Sequence, residues 1–553
     1  MKNIVLGVLI VVYNLKGTCQ SAAQFDIKWK EDIDYLHRFV ANSHKNPYHV
    51  ITKRAFDSSV NHLNSRIKKL NRIQLITELG KIIACIGDGH TRLQFFRPEV
   101  HFHLMPIRLY YYEDGVFIQA IDSSMAWAVG AEVIKIGNTP ISDAMKTIAT
   151  VTSADNLSGV KEYAAKYASI PDLLYGLNIS DDSLKCNYTI LAKDGKTHTI
   201  QLRGEAMTSS KDFLSFEPFS KRYVRDRDSS SNPVPEYLAN SRYPMSLKLI
   251  SGKDILYVQV NEIRNDPSGQ RLSEFFTRAV KLFDSTSSKK FVLDLRLNRG
   301  GDASLLRPII HLITGHSVIN KRGNFYTIIG RRTFSAAGQF VTELVENTNV
   351  ILVGEPSGTG PNRYGETGET NLPNSDIIIT VSTQWIQRGR PEDKSKFFGP
   401  ELYAPLTSHH YKANIDPAFE IIEIGSFDSS IYERLLVSLE SDIVTLKAFK
   451  VLFTKLISNK LYAFYDFEST LQRLALLYMR KNKYMAAENI LMILTAYRPV
   501  TTDTYEILSD ICEAAGDSIK QLSFLSMALK QASGYQQFIL SEKVRRLKLK
   551  KKN

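Results

Sequence analysis

Ser335, His90 and a pair of adjacent glycines are the residues of this sequence whose types and surroundings could do chemistry. Ser335 stands in a run of small and polar residues within Arg332–Gly338. Such neighbours leave a nucleophile open to a substrate, whereas bulky side chains would obstruct it. The segment lacks the Gly-x-Ser-x-Gly elbow of α/β-hydrolases. The alternative is that Ser335 only caps the helix that follows it.

His90 follows the end of an amphipathic helix, on the glycine-rich turn Gly87–Thr91. A histidine there can project into a cleft, although a single loop histidine is more often structural.

The third segment, Phe291–Gly301, is an apolar strand that runs into Gly300 and Gly301. Backbone N–H groups in such a turn are unshielded and can hold an anion or an oxyanion. An ordinary tight strand-to-helix turn is the alternative.

Together, the three segments resemble one family, the C-terminal processing peptidases, whose relatives include the tricorn protease and interphotoreceptor retinoid-binding protein. They stand in that family's order, and further segments fit before and after them. The matching segments are His44–Tyr48, Gly87–Thr91, Asp294–Gly301, Thr333–Ala337, Val353–Pro356 and Leu372–Ser375. The resemblance therefore extends over most of the chain before its C-terminal region.

The resemblance implies a serine endopeptidase that hydrolyses peptide bonds of proteins or peptides, with Ser335 as nucleophile. It implies an oxyanion hole built from the backbone N–H of Gly300 or Gly301 and that of Ala336. No metal or other cofactor is expected, because the sequence has no metal-binding motif. The implied fold is α/β, with a ClpP/crotonase-like, mostly parallel core and a PDZ-like β-rich insert. Val129–Pro140 is similar to such an insert, which can hold a peptide terminus by β-strand addition.

The resemblance also selects the base. Many members use a lysine in the loop after Gly-Glu-Pro, but the corresponding loop here, Ser357–Asn362, has none. His90 matches the histidine base of the tricorn branch, in which an acid near the end of the core orients that base. Asp393 or Glu392 falls in the corresponding place. Because an unperturbed imidazole has a pKa of roughly 6.5, activity is expected to rise with pH through the neutral range.

Departures from the family pattern keep alternatives open. Gly89 stands where tricorn has a serine, and Gly338 replaces a usual glutamate after the nucleophile. A catalytically weak or inactive homologue that binds peptides or acts as a scaffold is therefore the main alternative. The presence of both Ser335 and His90 argues against it. A crotonase-type acyl-CoA enzyme would share the core, but the histidine-bearing N-terminal domain and the export signal argue against that function.

Hydrophobic periodicity predicts the elements that position these residues. Apolar residues recur every three or four positions from Phe56 to Ile86, which indicates helices ending at Gly87. Further along, strands alternate with helices, which predicts a mostly parallel sheet. Its predicted strands are Leu256–Val260, Phe291–Arg296, Tyr326–Ile329, Val350–Val353 and Ile377–Val381.

These patterns divide the chain into six segments. They are a signal peptide (1–23), an N-terminal helical domain (24–100), a PDZ-like domain (101–205), a linker (206–244), the peptidase core (245–428) and an all-α TPR-like module with a basic tail (429–553). Leu471, Leu474, Ala475, Tyr478, Ala487 and Pro499 fall on tetratricopeptide positions. Such repeats usually bind proteins, so this module is predicted to contact a protein partner. A plain helical bundle is the alternative.

The net charge of +13 is concentrated near the C-terminus, where Ser541–Asn553 holds seven basic residues and one acid. No base-reading motif accompanies this tail, so a solvated helix end is predicted and no nucleic-acid partner is expected. The adjacent His409 and His410 cannot share one helix face, and no metal-binding or P-loop motif is present.

The N-terminus is typical of an export signal. Lys2 precedes the apolar run Ile4–Tyr13, and Ser21–Ala23 offers small residues for cleavage. We therefore expect an exported protein, periplasmic or secreted. Cys19 raises the question of a lipid anchor, but the residues before it make a poor lipobox. No later segment is apolar enough to cross a membrane, so no membrane span beyond the signal is expected.

Overall fold

The computed structural model describes residues 2–207, 211–218, 220–227, 232–391, 393–441 and 445–550. The chain forms two compact units. Unit 1 comprises Met1–Pro400 and Ala404–Ile424, and unit 2 comprises Glu401–Tyr403 and Gly425–Asn553. Among the described residues, no helix combines the length and hydropathy that a membrane crossing needs.

Unit 1 opens with helices α1 (Lys2–Ser43), α2 (Lys53–Arg66) and α3 (Arg72–Ala84). Thr52 caps α2, and the Asn71 and Gln74 side chains form a reciprocal capping box at the start of α3. The two helices bury their apolar stripes in one core. Gly87 then turns the chain at a φ of +81°, a conformation that glycine adopts without strain. This turn places the loop containing His90 directly after the helical core.

A β-rich region follows. Its strands are β1 (Arg92–Leu93), β2 (His103–Leu104), β3 (Ile107–Tyr112), β4 (Gly115–Asp122), β5 (Glu132–Ile136), β6 (Thr139–Pro140), β7 (Lys185–Leu191), β8 (Thr197–Arg203), β9 (Glu205–Ala206) and β10 (Tyr223–Arg225). Its helices are α4 (Ile141–Ala149), α5 (Leu157–Tyr167), α6 (Pro171–Gly176), α7 (Lys211–Leu214) and α8 (Glu236–Ala239). The main sheet runs β10-β4-β5-β7-β8, with β3 beside β4 and β6 beside β5.

The second sheet is the core that positions the serine. It contains β11 (Met245–Ile250), β12 (Ile255–Val260), β13 (Lys290–Asp294), β14 (Phe325–Ile329) and β15 (Ile351–Gly354). The β11 strand pairs antiparallel with β12, and β12 to β15 pair in parallel. The connecting helices are α9 (Leu272–Ser285), α10 (Arg307–Thr314) and α11 (Ala336–Asn347). The predicted alternation is therefore confirmed as an α/β core.

Parallel pairing has a direct consequence for the site. Every residue of β12 and β14 is buried, as expected for strands covered on both faces. The carboxyl ends of neighbouring parallel strands meet at one edge of the sheet, where α/β folds usually carry their functional groups. The Gly300–Gly301 turn follows β13, and Ser335 follows β14. The topology thus brings these two segments together.

The prediction that Ile377–Val381 joins the parallel sheet is wrong. Instead, β17 (Ile378–Gln387) pairs antiparallel with β16 (Asn362–Asn371) on one side and with β1 on the other. Only residues 372–377 separate β16 from β17. A parallel crossover needs a dozen or more residues. A connection this short therefore joins the two strands as an antiparallel hairpin. Helices α12 (Ser408–Lys412) and α13 (Pro417–Ile424) complete unit 1.

Unit 2 is helical apart from a short strand. It contains β18 (Leu402–Tyr403), α14 (Ile431–Ser441), α15 (Lys447–Ile457), α16 (Phe467–Arg480), α17 (Tyr484–Thr495), α18 (Thr502–Ala514), α19 (Ser518–Gln531) and α20 (Gly534–Lys550). Leu474, Tyr478 and Ala487, which fall on repeat positions, are buried between helices. The basic tail continues α20, although residues 551–553 of it lie outside the described part of the chain.

Candidate active site

Ser335 lies where the chain passes from β14 into α11. It occupies the N-cap position of that helix, but its hydroxyl makes no capping hydrogen bond. Its backbone has φ 56° and ψ −123°, a left-handed conformation that is rare for a residue with a side chain and costs about 1–3 kcal/mol. The Oγ atom lies 3.0 Å from Nε2 of His90. This geometry excludes an ordinary capping role for the hydroxyl.

The main chain of His90 is fixed from two sides. The backbone N–H groups of His90 and Thr91 donate to Oδ1 of Asp88 at 2.9 and 2.8 Å. On the other side, the hydroxyl of Thr380 in β17 donates to the carbonyl of His90 at 2.8 Å. The imidazole stacks on the ring of Phe334, with centroids 4.4 Å apart. These contacts direct Nε2 toward the serine.

The imidazole of His90 is neutral over the whole neutral pH range. Burial and the positive charge of Arg92 lower its pKa to about 3. Arg363 acts in the same direction, whereas Asp88 and the backbone of Tyr364 oppose the shift. The expectation that activity rises through the neutral range, which assumed an unperturbed imidazole, is therefore corrected. A neutral imidazole can accept a proton without first losing one.

Asp393 does not orient this imidazole in the structure. Its carboxylate accepts a hydrogen bond from the backbone N–H of Ser395 at 2.8 Å, and its carbonyl accepts one from the Asn362 side chain at 2.9 Å. Asp393 therefore stabilises its own loop. The Nδ1 atom of His90 is buried and makes no hydrogen bond to a carboxylate among the described residues, although a backbone hydrogen bond with Tyr364 raises the pKa of the ring. Glu392, the other predicted acid, lies outside the described part of the chain.

Asp88 and His44 form a buried support beneath the histidine loop. His44 Nε2 lies 2.8 Å from Asp88 Oδ2, while the backbone N–H of Asn46 donates to His44 Nδ1 at 2.9 Å. Since Nδ1 is the acceptor, the proton of His44 sits on Nε2 and points at the carboxylate. Burial alone would raise the pKa of Asp88, but the hydrogen bonds from His44 and Ser382 outweigh it and hold that pKa well below its usual range.

Asp155 is a positioning residue that the sequence did not reveal. It lies in the loop between α4 and α5, where its Oδ1 accepts from the backbone N–H of Gly89 at 2.6 Å and its Oδ2 from the Thr359 hydroxyl at 2.7 Å. Burial raises its pKa to about 6. No motif marks this aspartate. Asp88, by contrast, belongs to the Gly-Asp-Gly-His-Thr run and could have been assigned its role from that motif.

Close packing against Thr359 explains why position 338, three residues after Ser335, is a glycine. A Cβ atom added to Gly338 would lie 2.4 Å from Cγ2 of Thr359. A contact this short requires the neighbour to shift. The glycine at position 338 is therefore set by close packing of α11 against the loop that Asp155 holds.

The predicted oxyanion segment lies against the serine. A Cβ atom added to Gly300 would lie 2.7 Å from Cβ of Ser335 and 3.0 Å from the amide nitrogen of Ala336. The N–H of Gly300 donates to Oδ1 of Asn298 at 2.8 Å, so it is already engaged. The amides of Gly301 and Ala336 donate to no described residue. Between the two predicted glycines, Gly301 is therefore the one with an available donor.

The Asp-Leu-Arg part of the strand motif is structural. The guanidinium of Arg296 donates to Oδ2 of Asp294 at 2.8 Å and makes two parallel bonds, each of 2.8 Å, to the carboxylate of Asp416. The hydroxyl of Tyr257 also donates to Asp294. Such a bidentate, buried network fixes the end of β13 rather than taking part in chemistry. It stabilises the turn that carries Gly300 and Gly301.

These features define an α/β fold with a serine–histidine pair at the carboxyl edge of a parallel sheet. No family model and no curated protein sequence matches this chain. Among solved structures, a serine-to-alanine mutant of CPAF matches with a TM-score of 0.52 and 11% identity, over 76% of this chain and 98% of the CPAF chain. The predicted resemblance is thus confirmed as a likeness of fold.

Two further solved structures match less closely. Mature CPAF matches with a TM-score of 0.49 and 12% identity, over 76% of this chain and 99% of its own. The photosystem II D1 C-terminal processing protease matches with a TM-score of 0.32 and 12% identity, over 68% of this chain and 92% of its own.

Proposed function

We propose that this chain is a serine endopeptidase, with Ser335 as nucleophile and His90 as general base. The observation that carries the proposal is the 3.0 Å separation between Oγ of Ser335 and Nε2 of His90, two residues 245 positions apart in the sequence. A serine hydroxyl barely ionises at neutral pH and needs such a proton acceptor. The likeness to CPAF supports the fold in which this pair is placed.

The proposed reaction follows from this geometry. Oγ of Ser335 attacks the scissile carbonyl carbon while Nε2 of His90 takes the hydroxyl proton. The N–H groups of Gly301 and Ala336 donate to the resulting oxyanion. His90 then gives its proton to the leaving amine, and an acyl-enzyme remains on Ser335. Water, deprotonated by His90, releases the new carboxyl group and restores the hydroxyl.

Among the described residues, no carboxylate bonds to Nδ1 of this base. The ring of Phe334 stacks on the imidazole, and the backbone of Tyr364 forms a hydrogen bond with it. We propose that these two contacts orient the imidazole in place of a carboxylate. A catalytically weak or inactive homologue that binds peptides remains the alternative function, and it is favoured by the absence of a carboxylate on Nδ1 among the described residues. Turnover measurements distinguish the two.

The remaining domains have proposed roles of their own. We propose that the core is ClpP/crotonase-like and that residues 101–205 form a PDZ-like domain that binds a substrate peptide by strand addition. Residues 429–553 would form a TPR-like module that contacts a protein partner. The signal-like N-terminus supports export to the periplasm or the medium, with proteins or peptides of the cell envelope as substrates.

The proposal is tested by hydrolysis of internally quenched peptides and of unfolded proteins, with products identified by mass spectrometry. Wild-type protein is expected to cut them, and Ser335→Ala is expected to be inactive with an unchanged melting temperature. Ser285→Ala, which alters an exposed hydroxyl at the end of α9, serves as the control. Full activity in Ser335→Ala contradicts the assignment, and an inactive wild-type protein favours the peptide-binding alternative.

A further inference from the structure

A wide cleft opens beside the glycines of the proposed oxyanion hole. It has a volume of about 420 Å³, and Gly300 and Gly301 form part of its wall. This volume lies within the range of small-ligand pockets, roughly 300–1,000 Å³. Gly300 also packs against Ser335, so the cleft adjoins the proposed nucleophile. The reaction described above does not use the charged residues that line it.

The walls of the cleft are strongly basic. Arg242, Arg264, Arg299 and Arg332 line it, and Glu262 is the one acid among its described lining residues. Glu262 is exposed and lies 3.3 Å from Arg264, so it offsets one charge at the rim and does not reach across the cleft. Clustered guanidinium groups repel one another, so an anion that enters the cleft is attracted by their combined charge.

Arg332 is the most buried of these cations. Its side chain is 10% exposed, and Nη2 donates to the carbonyl of Leu214 at 2.6 Å. Its buried Nε makes no hydrogen bond to any described residue. Glu162 lies 3.6 Å from that Nε, but it also accepts a 2.6 Å hydrogen bond from the ammonium group of Lys166. One carboxylate thus serves two cations, which leaves positive charge in excess.

Arg299 lines the cleft and is held by a tyrosine hydroxyl. Its Nη2 donates to the hydroxyl oxygen of Tyr163 at 2.7 Å, and Arg92 donates to the same oxygen at 3.1 Å. Burial alone would raise the pKa of Tyr163, but Arg299 and Arg92 outweigh it and lower that pKa to about 7. Arg299 is adjacent to Gly300 in the chain and lines the same cleft as both glycines.

We propose that this cleft is a substrate subsite that selects acidic side chains, Asp or Glu, next to the bond that is cut. The proposal rests on the serine-peptidase function described above. A guanidinium offers N–H donors in a planar fork that matches a carboxylate, and partial burial strengthens each bond. A chain terminus supplies one carboxylate, whereas Arg299 and Arg332 both line the cleft beside Gly300, so side-chain carboxylates on either side of the scissile bond can meet a guanidinium.

The test compares matched peptides that carry Glu or Gln at each position flanking the scissile bond, blocked at both ends so that no terminal carboxylate is present. Wild-type protein is expected to favour the Glu peptide in kcat/KM by about tenfold to a hundredfold at its best position, the effect of one charge-assisted hydrogen bond. Arg332→Gln is expected to move that ratio toward one. Arg264→Gln, at the exposed rim, tests the same ratio should Arg332→Gln fail to fold.

Arg278→Gln is the matched control, because it removes the same charge from the exposed face of α9 and is expected to keep the Glu preference. Equal kcat/KM for Glu and Gln peptides, or a preference that survives in both cleft variants, overturns the proposal. A preference that appears only when the C-terminus is left free also overturns it, since that would identify a terminal carboxylate as the ligand.

Binding separates failure of this subsite from failure of the peptidase function. Rhodamine-labelled Glu and Gln peptides are titrated against Ser335→Ala and followed by fluorescence anisotropy, a readout that needs no turnover. Tighter binding of the Glu peptide, lost in the Ser335→Ala/Arg332→Gln double variant, supports the subsite even if the wild-type protein cuts nothing. Equal binding of both peptides contradicts the subsite even if the wild-type protein is an active peptidase.

Discussion

Ser335 reaches His90 because its backbone adopts a conformation that few residues other than glycine favour. A serine with the extended backbone usual at an N-cap would turn its hydroxyl onto the free amides of α11. At φ 56° the hydroxyl instead points away from these amides and lies within hydrogen-bond distance of Nε2 of His90. Strain of this kind persists only where the surroundings impose it and is concentrated at functional sites. The residue type was visible in the sequence, but its backbone angle was not.

The pH dependence of turnover follows from the burial of His90. Its pKa of about 3 keeps the base neutral and competent down to acidic pH. We expect His90 itself to give the pH profile of kcat/KM no limb near 6.5 and to lower kcat/KM only near pH 3, where it becomes protonated. Asp155, with a pKa of about 6, can add a limb of its own because it holds Gly89. The measurement is the pH profile of peptide hydrolysis.

Asp155→Asn separates these two contributions. A limb near pH 6 that disappears in Asp155→Asn belongs to the positioning aspartate and agrees with a buried, neutral His90. A limb near 6.5 that persists in Asp155→Asn contradicts the low pKa of His90. In that case the base would behave as an ordinary, solvated imidazole.

Asp88→Asn is expected to be severe, because the carboxylate accepts four hydrogen bonds, from the His44 ring, the backbone N–H groups of His90 and Thr91, and the Ser382 hydroxyl. With the amide oxygen kept on His90 and Thr91, its NH₂ group would face the N–H of His44, which is also a donor and cannot accept a hydrogen bond. We expect a loss of about 2–4 kcal/mol in unfolding free energy, measured by urea titration at pH 7, together with lower kcat. Asp57→Asn, in a surface aspartate–histidine pair, is expected to cost under about 1 kcal/mol.

The contribution of Asp88 to the free energy of unfolding decreases as the pH falls. The pKa of Asp88 in the folded protein lies below its unfolded value. Its contribution is therefore fully present above roughly pH 4 and is lost as the pH falls further. Equal stability losses in Asp88→Asn and Asp57→Asn would show that the buried network does not support the histidine loop.

At the scale of elements, the site depends on two sheets that meet at the serine. The parallel sheet supplies Ser335 and the glycine turn, and the small antiparallel sheet supplies the histidine loop through the pairing of β1 with β17. Alternating strands and helices made the first sheet predictable. The small antiparallel sheet was not predictable. An apolar run such as Ile377–Val381 is compatible with either sheet, and its sequence pattern does not show which strand it pairs with.

Thr380→Val tests the link between β17 and the histidine loop. It removes the hydroxyl that donates to the carbonyl of His90 at 2.8 Å while keeping side-chain volume and strand propensity. We expect a stability loss of about 1 kcal/mol and a larger proportional loss of kcat than of binding. Thr383→Val on the same strand removes a 2.6 Å bond to the carbonyl of Glu366 and is expected to leave kcat unchanged. Equal kinetic effects of the two substitutions would contradict this role for β17.

The same limit of sequence information applies to the functional side chains. Ser335, His90 and the glycine pair could be found because each lies in a short motif of the peptidase family. Asp155 could not, because its role depends on where the α4–α5 loop lies in space. The acid assigned from loose correspondence, Asp393, caps its own loop instead. Local pattern therefore predicted the motif residues, and tertiary packing decided which groups surround them.

At the scale of the whole molecule, the proposed chemistry is contained in unit 1. Ser335, His90, Asp88, Asp155 and the glycine turn all belong to it, whereas unit 2 contains the helices from α14 onward. We expect removal of residues 425–553 to leave kcat for short peptides within about twofold, provided circular dichroism shows that the shortened chain is folded. Loss of hydrolysis in a folded truncation would mean that unit 2 contributes to catalysis.

The central claim, that Ser335 is a nucleophile activated by His90, is tested most directly by fluorophosphonate labelling followed by mass-spectrometric mapping of the modified peptide. The predicted result is a single label on Ser335, absent in Ser335→Ala and formed about 10²–10⁴ times more slowly in His90→Gln, the usual effect of losing a general base. His62→Gln, an exposed histidine of α2, should label at the wild-type rate. A label on another residue, or equal labelling rates in the wild type and His90→Gln, would contradict the assignment.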